Sequence, residues 1–307
     1  MVRVLHVEAF APTPHRGNPA GVVLDATGLS DAAMQDVARA VGFNETAFVL
    51  PSAAADVRIR YFTPGHEVDL CGHATVAAFV ALHRHGRFPG AGPWHVTLEA
   101  RAGLLPVTLA VDADARPVVT MTQAPAEFRP FRGDHGALAA ALGVTADEFA
   151  PGLPVVYGST GLWTLVVPVR SLAAVRRMVP RTAAFPGVLT ELPGASVHPF
   201  CLETIDPAAH LHARHFSSPR SGTVEDPVTG TASGVLGAYH REHVSPAGGP
   251  SPLVVEQGQE VGRDGRVLVW AERRGATYEV RIAGTGCYVG ELPVTVGGAA
   301  GPGAAAA

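Results

Sequence analysis

Two kinds of apolar pattern run along this chain. In the first, short stretches rich in valine, leucine and phenylalanine are set off by glycine, proline and aspartate turns, which is the pattern of β-strands. Read this way, strands are expected at Val2–Phe10, Thr46–Leu50, Val57–Phe62, Trp94–Ala100, Leu104–Val111 and Pro117–Thr122. A second series is expected at Val155–Gly158, Trp163–Val169, His198–Glu203, Leu211–Phe216, Leu253–Gln257, Val267–Glu272, Tyr278–Ala283 and Cys287–Leu292. The other pattern is helical. Ser30–Val41 carries helically spaced apolar positions between a capping Ser30 and a terminating Gly42, and Asp134–Leu142 and Leu172–Val179 are further candidates. Ala74–His85 and Thr231–His240 are small-residue helices that are apolar on nearly every side, and such a helix must be buried on every side.

Each half of the chain therefore sets one apolar helix among several strands. The turns leading into these helices also look alike: Cys71-Gly72-His73-Ala74 and Thr229-Gly230-Thr231-Ala232. Coincidence in an alanine- and glycine-rich chain is one account of this weak repeat. The physical alternative is an α+β fold of two similar barrels, each wrapped around a central helix, whose helix N-termini present free N–H groups to one cleft. The expected division is 1–122 for the first half, with the closing C-terminal strand able to pack across to it, and 123–296 for the second. The stretch 297–307 is expected to be a disordered Gly/Ala/Pro tail.

Composition narrows the function. With 307 residues, 47% hydrophobic and 16% charged, the chain can bury a large core and is not a disordered protein. A net charge of −4 offers no electrostatic reason to expect nucleic acid or an anionic membrane as partner. Lysine is absent, which excludes a pyridoxal Schiff base and a Walker A loop. Cys71, Cys201 and Cys287 are widely spaced, so neither a disulfide framework nor a structural zinc site is expected. No apolar run approaches the roughly 20 residues of a membrane span and no signal segment is visible, so a soluble cytoplasmic protein is expected.

Taken one at a time, the polar residues near the helix mouths have bland readings. Glu45 is a carboxylate at a strand start, and Asp226 before Pro227 reads as a turn or cap. His73 is either structural or a general acid/base, and Cys71 is either a small buried neighbour or a thiol whose pKa the helix N-terminus lowers. His83/His85 and His210/His212/His215 have metal-like spacing but lack Cys or carboxylate partners at suitable offsets, so no metal is expected. Gly262-Arg263-Asp264-Gly265 reads as a hairpin turn and nothing more.

The set as a whole is more specific. Reading GNPAGV (Gly17–Val22), NETAFV (Asn44–Val49), RYFTPGHEVDLCGHAT (Arg60–Thr75), EDPVTGTASG (Glu225–Gly234) and QGQEVGR (Gln257–Arg263) in order, the chain resembles the PhzF family. These are phenazine-biosynthesis isomerase-like proteins built on the diaminopimelate epimerase fold. The resemblance implies two pseudo-symmetric barrels, an intervening cleft, no cofactor and a homodimer. It carries the family's catalytic glutamate onto Glu45, its histidine onto His73, its aspartate onto Asp226 and its substrate-side asparagine onto Asn18. The family's serine is here Thr231. Cys71 matches one thiol of the related two-thiol racemases, but Thr229 stands where the second would be.

Those residue types suit proton transfer. Glu45 can move a proton between carbons of a small carboxylate, expected to be amino-acid-derived, if its surroundings raise its pKa. Asp226 and His73 can hold a second proton on the opposite side. The N–H groups at Gly72-His73 and Gly230-Thr231 can bind a carboxylate or enolate. The expectation is a cofactor-independent isomerase. A racemase or epimerase using Cys71 or Glu45 with Asp226, and a non-catalytic small-molecule binding protein, are the alternatives.

Overall fold

The computed structural model describes residues 1–90, 92–219, 221 and 223–295, so the expected tail lies outside the described residues. The first half contains β1 (Val2–Ala9), β2 (Asn18–Val23), α1 (Asp31–Val41), β3 (Glu45–Leu50), β4 (Val57–Phe62), β5 (Glu67–Val68), α2 (Gly72–Arg84), β6 (Trp94–Ala100), β7 (Gly103–Val111) and β8 (Pro117–Thr122). In the second half, β9 (Glu127–Pro130), α3 (His135–Leu142), β10 (Val156–Ser159), β11 (Trp163–Pro168), α4 (Leu172–Arg176), α5 (Phe185–Val188) and β12 (Ser196–Cys201) come first. They are followed by β13 (Leu211–Ala213), β14 (His215–Phe216), β15 (Glu225–Asp226), α6 (Gly230–Tyr239), β16 (Leu253–Gln257), β17 (Gly265–Arg274) and β18 (Thr277–Val294).

The strand ladders make the repeat explicit. From β1 through β2, β3, β4, β6 and β7 to β8, successive pairings run antiparallel, parallel, antiparallel, parallel, antiparallel, antiparallel. From β10 through β11, β12, β13, β16 and β17 to β18, the same series recurs. Matching rungs align side chains as well. Arg60 makes a two-pronged bond to Glu67 and lies over the Phe62 ring; Arg214 does the same with Glu225 and Phe216. The likeness noted at the helix mouths thus extends through each half.

Each ring encloses its apolar helix, as an all-round apolar surface requires. His73 to Leu82 of α2 are buried, and so are Gly230 and Ala232 to Tyr239 of α6. The helices begin at Gly72 and Gly230, slightly before the expected starts. α6 continues into a wider turn over His240–Val244.

One strand belongs to both rings. β18 pairs with β17, then through residues 281–285 with β8, and finally along β1 as far as Val2↔Val294. The sequence reading broke this strand at its glycines. The structure runs through them because a side chain there would collide: a Cβ on Gly284 would lie 2.3 Å from a Phe10 ring carbon, and one on Gly286 2.9 Å from the Glu8 carbonyl. Glycine here permits close approach and does not mark a turn.

Other differences have local causes. The Gly17–Val22 segment, expected only as a motif, contributes Asn18–Val23 as β2. Pro19 pairs with Glu8 on one side, and the parallel partner β3 joins only from Ala20, so its missing N–H leaves no gap in the ladder. The expected helix Leu172–Val179 stops at Arg176 because Pro180 disfavours helix at Val179. The expected strand Leu211–Phe216 is interrupted at Arg214. Among the described residues, no helix is long and apolar enough to cross a membrane.

Candidate functional site

Glu45 stands at the first position of β3, just after α1 has ended on Gly42 in the left-handed conformation (φ 73°). That position projects its carboxylate at the first turn of α2. His73 Nε2 lies 3.2 Å from Glu45 Oε2, with side chains 10% and 19% exposed respectively. On its other edge, His73 Nδ1 is 3.4 Å from Cys71 Sγ.

The electrostatics of this trio agree with one protonation pattern. Burial, reinforced by the charge of Asp226 and opposed by a Cys71 hydrogen bond, pushes the Glu45 carboxyl up to about 7. Burial brings His73 down to about 4, so its ring is neutral at neutral pH. The Cys71 thiol is held well above its ordinary value by burial and then by the Glu45 charge. Of the two readings of Cys71, this favours the small buried neighbour over the thiol activated by its helix N-terminus: dehydration and a neighbouring carboxylate outweigh the helix end. A protonated thiol and a neutral imidazole therefore stand beside a carboxyl that titrates near neutrality. Cys71 Sγ and His73 Nδ1 share a hydrogen bond, and His73 Nε2 stands at ion-pair distance from Glu45 Oε2.

Asp226 is held differently. It ends β15 immediately before Pro227 and the start of α6. Its Oδ1 accepts from Asn18 Nδ2 at 2.9 Å and Asn44 Nδ2 at 3.1 Å, and its Oδ2 from Thr229 Oγ1 at 2.5 Å. Burial raises its pKa to about 6, against these three hydrogen bonds that favour the charged form. Gln257 on β16 braces the same turn, donating to the Asp226 carbonyl at 2.8 Å and accepting from Thr229 N–H at 3.2 Å.

The two asparagines belong to the first half and Asp226 to the second, so both helix mouths contribute to one site. The expected pairing of His73 with Asp226 opposite Glu45 is not the arrangement seen, since His73 sits beside Glu45. Asn18, expected on the substrate side, donates to Asp226 and to the Val228 carbonyl at 3.0 Å, while its Oδ1 is buried without a partner among the described residues. Thr231 is half-buried, and its carbonyl accepts from Thr160 Oγ1 at 3.0 Å. The paired glycines differ. A Cβ on Gly72 would meet open space, whereas one on Gly230 would lie 2.7 Å from Ile282 Cδ1.

Asn44, Thr229 and Gln257 were not singled out as site residues by sequence reasoning. All three lie within the quoted motifs, one of them next to Glu45, which is the only signal that could have found them. Arg263 also does more than turn a hairpin. Its guanidinium lies 3.1 Å from the buried Glu8, and its carbonyl accepts the Gly17 N–H beside Asn18, so this loop fastens the GNP segment across the two halves.

The histidine runs resolve as structural. His212 Nδ1 is 2.8 Å from Glu256 and its Nε2 3.1 Å from Glu260, carboxylates that are distant in sequence and so were missed. His215 pairs with His198, His210 accepts from the Val254 N–H, and His83 packs on Trp94.

The comparisons extend these observations. The family model for phenazine biosynthesis-like proteins matches residues 7–291. An uncharacterized isomerase of Bacillus subtilis is 48% identical over 285 residues, covering 93% of this chain and 96% of its own. The crystal structure of a PhzF-family phenazine biosynthesis protein from Bacillus anthracis superposes with a TM-score of 0.92 at 47% identity, over 96% of this chain and 99% of that one. The trans-2,3-dihydro-3-hydroxyanthranilate isomerase of Pseudomonas aeruginosa is 31% identical over 293 residues, covering 95% of this chain and 98% of its own. The two-barrel α+β fold expected from the sequence is the one observed.

Proposed function

Because this chain belongs to the phenazine biosynthesis-like family and is an isomerase, we propose that it moves a proton between carbons of a small carboxylate, with Glu45 as the group that takes up and returns the proton. The observation that supports this most directly is the Glu45 carboxyl, buried between His73 and the charge of Asp226 and raised to about 7. A general acid/base works best when its pKa lies near the working pH. His73 Nε2 stands 3.2 Å from Oε2 and keeps the carboxyl at the mouth of α2.

Asp226 supplies a fixed negative charge. Two donors fill Oδ1 and one occupies part of Oδ2, so a single acceptor position remains on Oδ2 for an ammonium or hydroxyl of the substrate, or for a second proton. The N–H groups at Gly72-His73 and Gly230-Thr231 receive the substrate carboxylate and the charge that develops as the proton leaves. No lysine or electron sink is required in this scheme. A racemase with a thiol on each face is disfavoured, because Thr229 occupies the position matching Cys71 and its hydroxyl is already committed to Asp226.

The test is turnover in D₂O of small unsaturated amino- and hydroxy-carboxylates, beginning with trans-2,3-dihydro-3-hydroxyanthranilate. A product that retains substrate hydrogen at the new C–H supports a single shielded glutamate. Complete deuterium incorporation together with loss of chirality in the recovered substrate would instead support a two-base epimerase. No conversion of any unsaturated carboxylate by the parent protein would overturn the proposal.

A further inference from the structure

The two barrels differ at one rung that the proton-transfer scheme leaves unused, and we propose that His215 is a substrate-binding residue whose Nε2–H donates to a substrate hydroxyl that in turn donates to Asp226. This builds on the proposed role of Asp226 and is independent of whether Glu45 is the base. Placement comes from the ladder. β14 and β15 run antiparallel with His215 opposite Asp226 and Phe216 opposite Glu225. Directly opposite residues share a face, with Cβ atoms about 4.5–5.5 Å apart. Arg214, Phe216 and Glu225 occupy one face: Arg214 lies over the Phe216 ring, bonds Glu225 and donates to the carbonyls of Val175 and Met178. Alternation along the strands puts His215 and Asp226 on the other. His215 keeps 9% of its surface exposed. Its Nδ1 lies 3.1 Å from His198 Nδ1, and its Nε2 has no hydrogen-bond partner among the described residues.

The corresponding rung of the first barrel shows this position in a purely structural role. Ala47, Tyr61 and Val68 stand where the second barrel has His198, His215 and Asp226. Tyr61 is buried, and its hydroxyl spans to Thr75 Oγ1 of α2 at 2.6 Å. In the second barrel Ser233 takes the place of Thr75, but it donates to the Thr229 carbonyl at 2.9 Å, and among the described residues His215 makes no hydrogen bond to α6.

The position of the His215 hydrogen follows from His198. Burial keeps both rings neutral, bringing His215 down to about 4 and His198 well below its ordinary value. Each ring therefore carries one N–H. His198 Nε2 is enclosed without a partner among the described residues, so a hydrogen there would be a stranded donor. The hydrogen belongs on His198 Nδ1, towards the acceptors that β14 presents, His215 Nδ1 and the Arg214 carbonyl. His215 Nδ1 then accepts, which leaves its own hydrogen on Nε2.

A donor and an acceptor on one face select the group that fits between them. Asp226 retains one acceptor position on Oδ2, and its charge repels a carboxylate oxygen. An ammonium can donate to Asp226 but cannot accept from His215. A hydroxyl does both.

The test compares the binding of anthranilate and 3-hydroxyanthranilate to the full chain by calorimetry. The two differ by one hydroxyl and are already aromatic, so neither is isomerised and the result does not depend on Glu45. Expected are about tenfold tighter binding of the hydroxylated compound, loss of that preference in His215→Phe, and its retention in His215→Gln, whose amide places a donor near the position of Nε2. Equal affinities in the parent, a preference that survives His215→Phe, or no binding of 3-hydroxyanthranilate at millimolar concentration would overturn the proposal. If His215→Phe does not fold, the ¹⁵N spectrum of the parent at neutral pH decides: the hydrogen is expected on Nε2 of His215 and on Nδ1 of His198, and the reverse pair of tautomers overturns the proposal. An unimpaired Glu45→Gln enzyme, by contrast, would dismiss the base and leave these results unchanged.

Discussion

The two helix mouths share a scaffold and differ in their chemistry. Around α2, the residues are Cys71, Gly72 and His73, with Glu45 from the neighbouring strand. Around α6, the matching positions hold Thr229, Gly230 and Thr231, and the rung that carries Glu45 (Ala20↔Glu45) corresponds to one that carries Ser196 (Thr164↔Ser196). Conversely, Asp226 of β15 matches Val68 of β5. Each half has what builds a barrel, the Arg–Glu pair and the buried helix. Each also carries one site carboxylate, Glu45 or Asp226, at a position where the other half has none. The difference teaches that a pseudo-two-fold frame need not carry a symmetric reaction: one side presents an oriented, half-titrated base, the other a hydrogen-bonded charge.

The sharpest way to break this comparison is to remove the base on one side only. Glu45→Gln is expected to bind substrate nearly as well as the parent and to lose about 10²–10⁴-fold in kcat, measured in single-turnover and steady-state assays. An unimpaired variant would dismiss Glu45 as the base.

A second comparison concerns the frame. The Arg214–Glu225 pair has side chains 7% and 9% exposed, and Arg214 also donates to the carbonyls of Val175 and Met178. Arg60–Glu67, its counterpart, is 15% and 15% exposed. Since removing one partner of a buried pair strands a charge, Arg214→Ala should cost about 3–5 kcal/mol in denaturant unfolding. Arg60→Ala should cost less, and equal losses would show that burial does not set the difference.

The pH dependence separates the two carboxylates. Glu45 must be ionised to accept a proton, so kcat/KM should fall as pH drops through about 7. The Asp226 charge contributes to that elevation, and Asp226→Asn should therefore shift the acid limb of the residual activity to lower pH. A limb that moves upward would contradict the assignment.

The smallest expected effect is at Cys71. Here Cys71→Ala should cost roughly 1 kcal/mol of stability for a small cavity, and less than tenfold in turnover. The thiol orients His73 and is held protonated, so it does not act as a base. A loss of several orders of magnitude in kcat with the fold intact would make it a catalytic thiol.

Much of this was legible in the chain, and the reasons are specific. The buried helices showed because no polar face interrupts them, and Glu45, His73 and Asp226 showed because they lie in motifs of fixed order. What stayed hidden depends on pairing across long separations. Glu256 reaches His212, Gln257 reaches Asp226, and Arg263 reaches Glu8, none of them near in sequence. Gly284 and Gly286 misled for a related reason: a residue that breaks structure locally can be required by a neighbour that only the fold supplies. The two readings of Cys71 could not be separated in the chain, because the helix end is visible there whereas burial and a facing carboxylate are not.

The strand that runs along both rings has a consequence for how the protein is made. Val2 pairs with Val294, so the first barrel, translated before the second, has an open seam until β18 has left the ribosome. Its edge strands β1 and β8 wait with unpaired backbone groups throughout synthesis, a state prone to aggregation. Order of synthesis and order of completion are thus reversed: the half translated first is sealed by a strand translated after most of the second half.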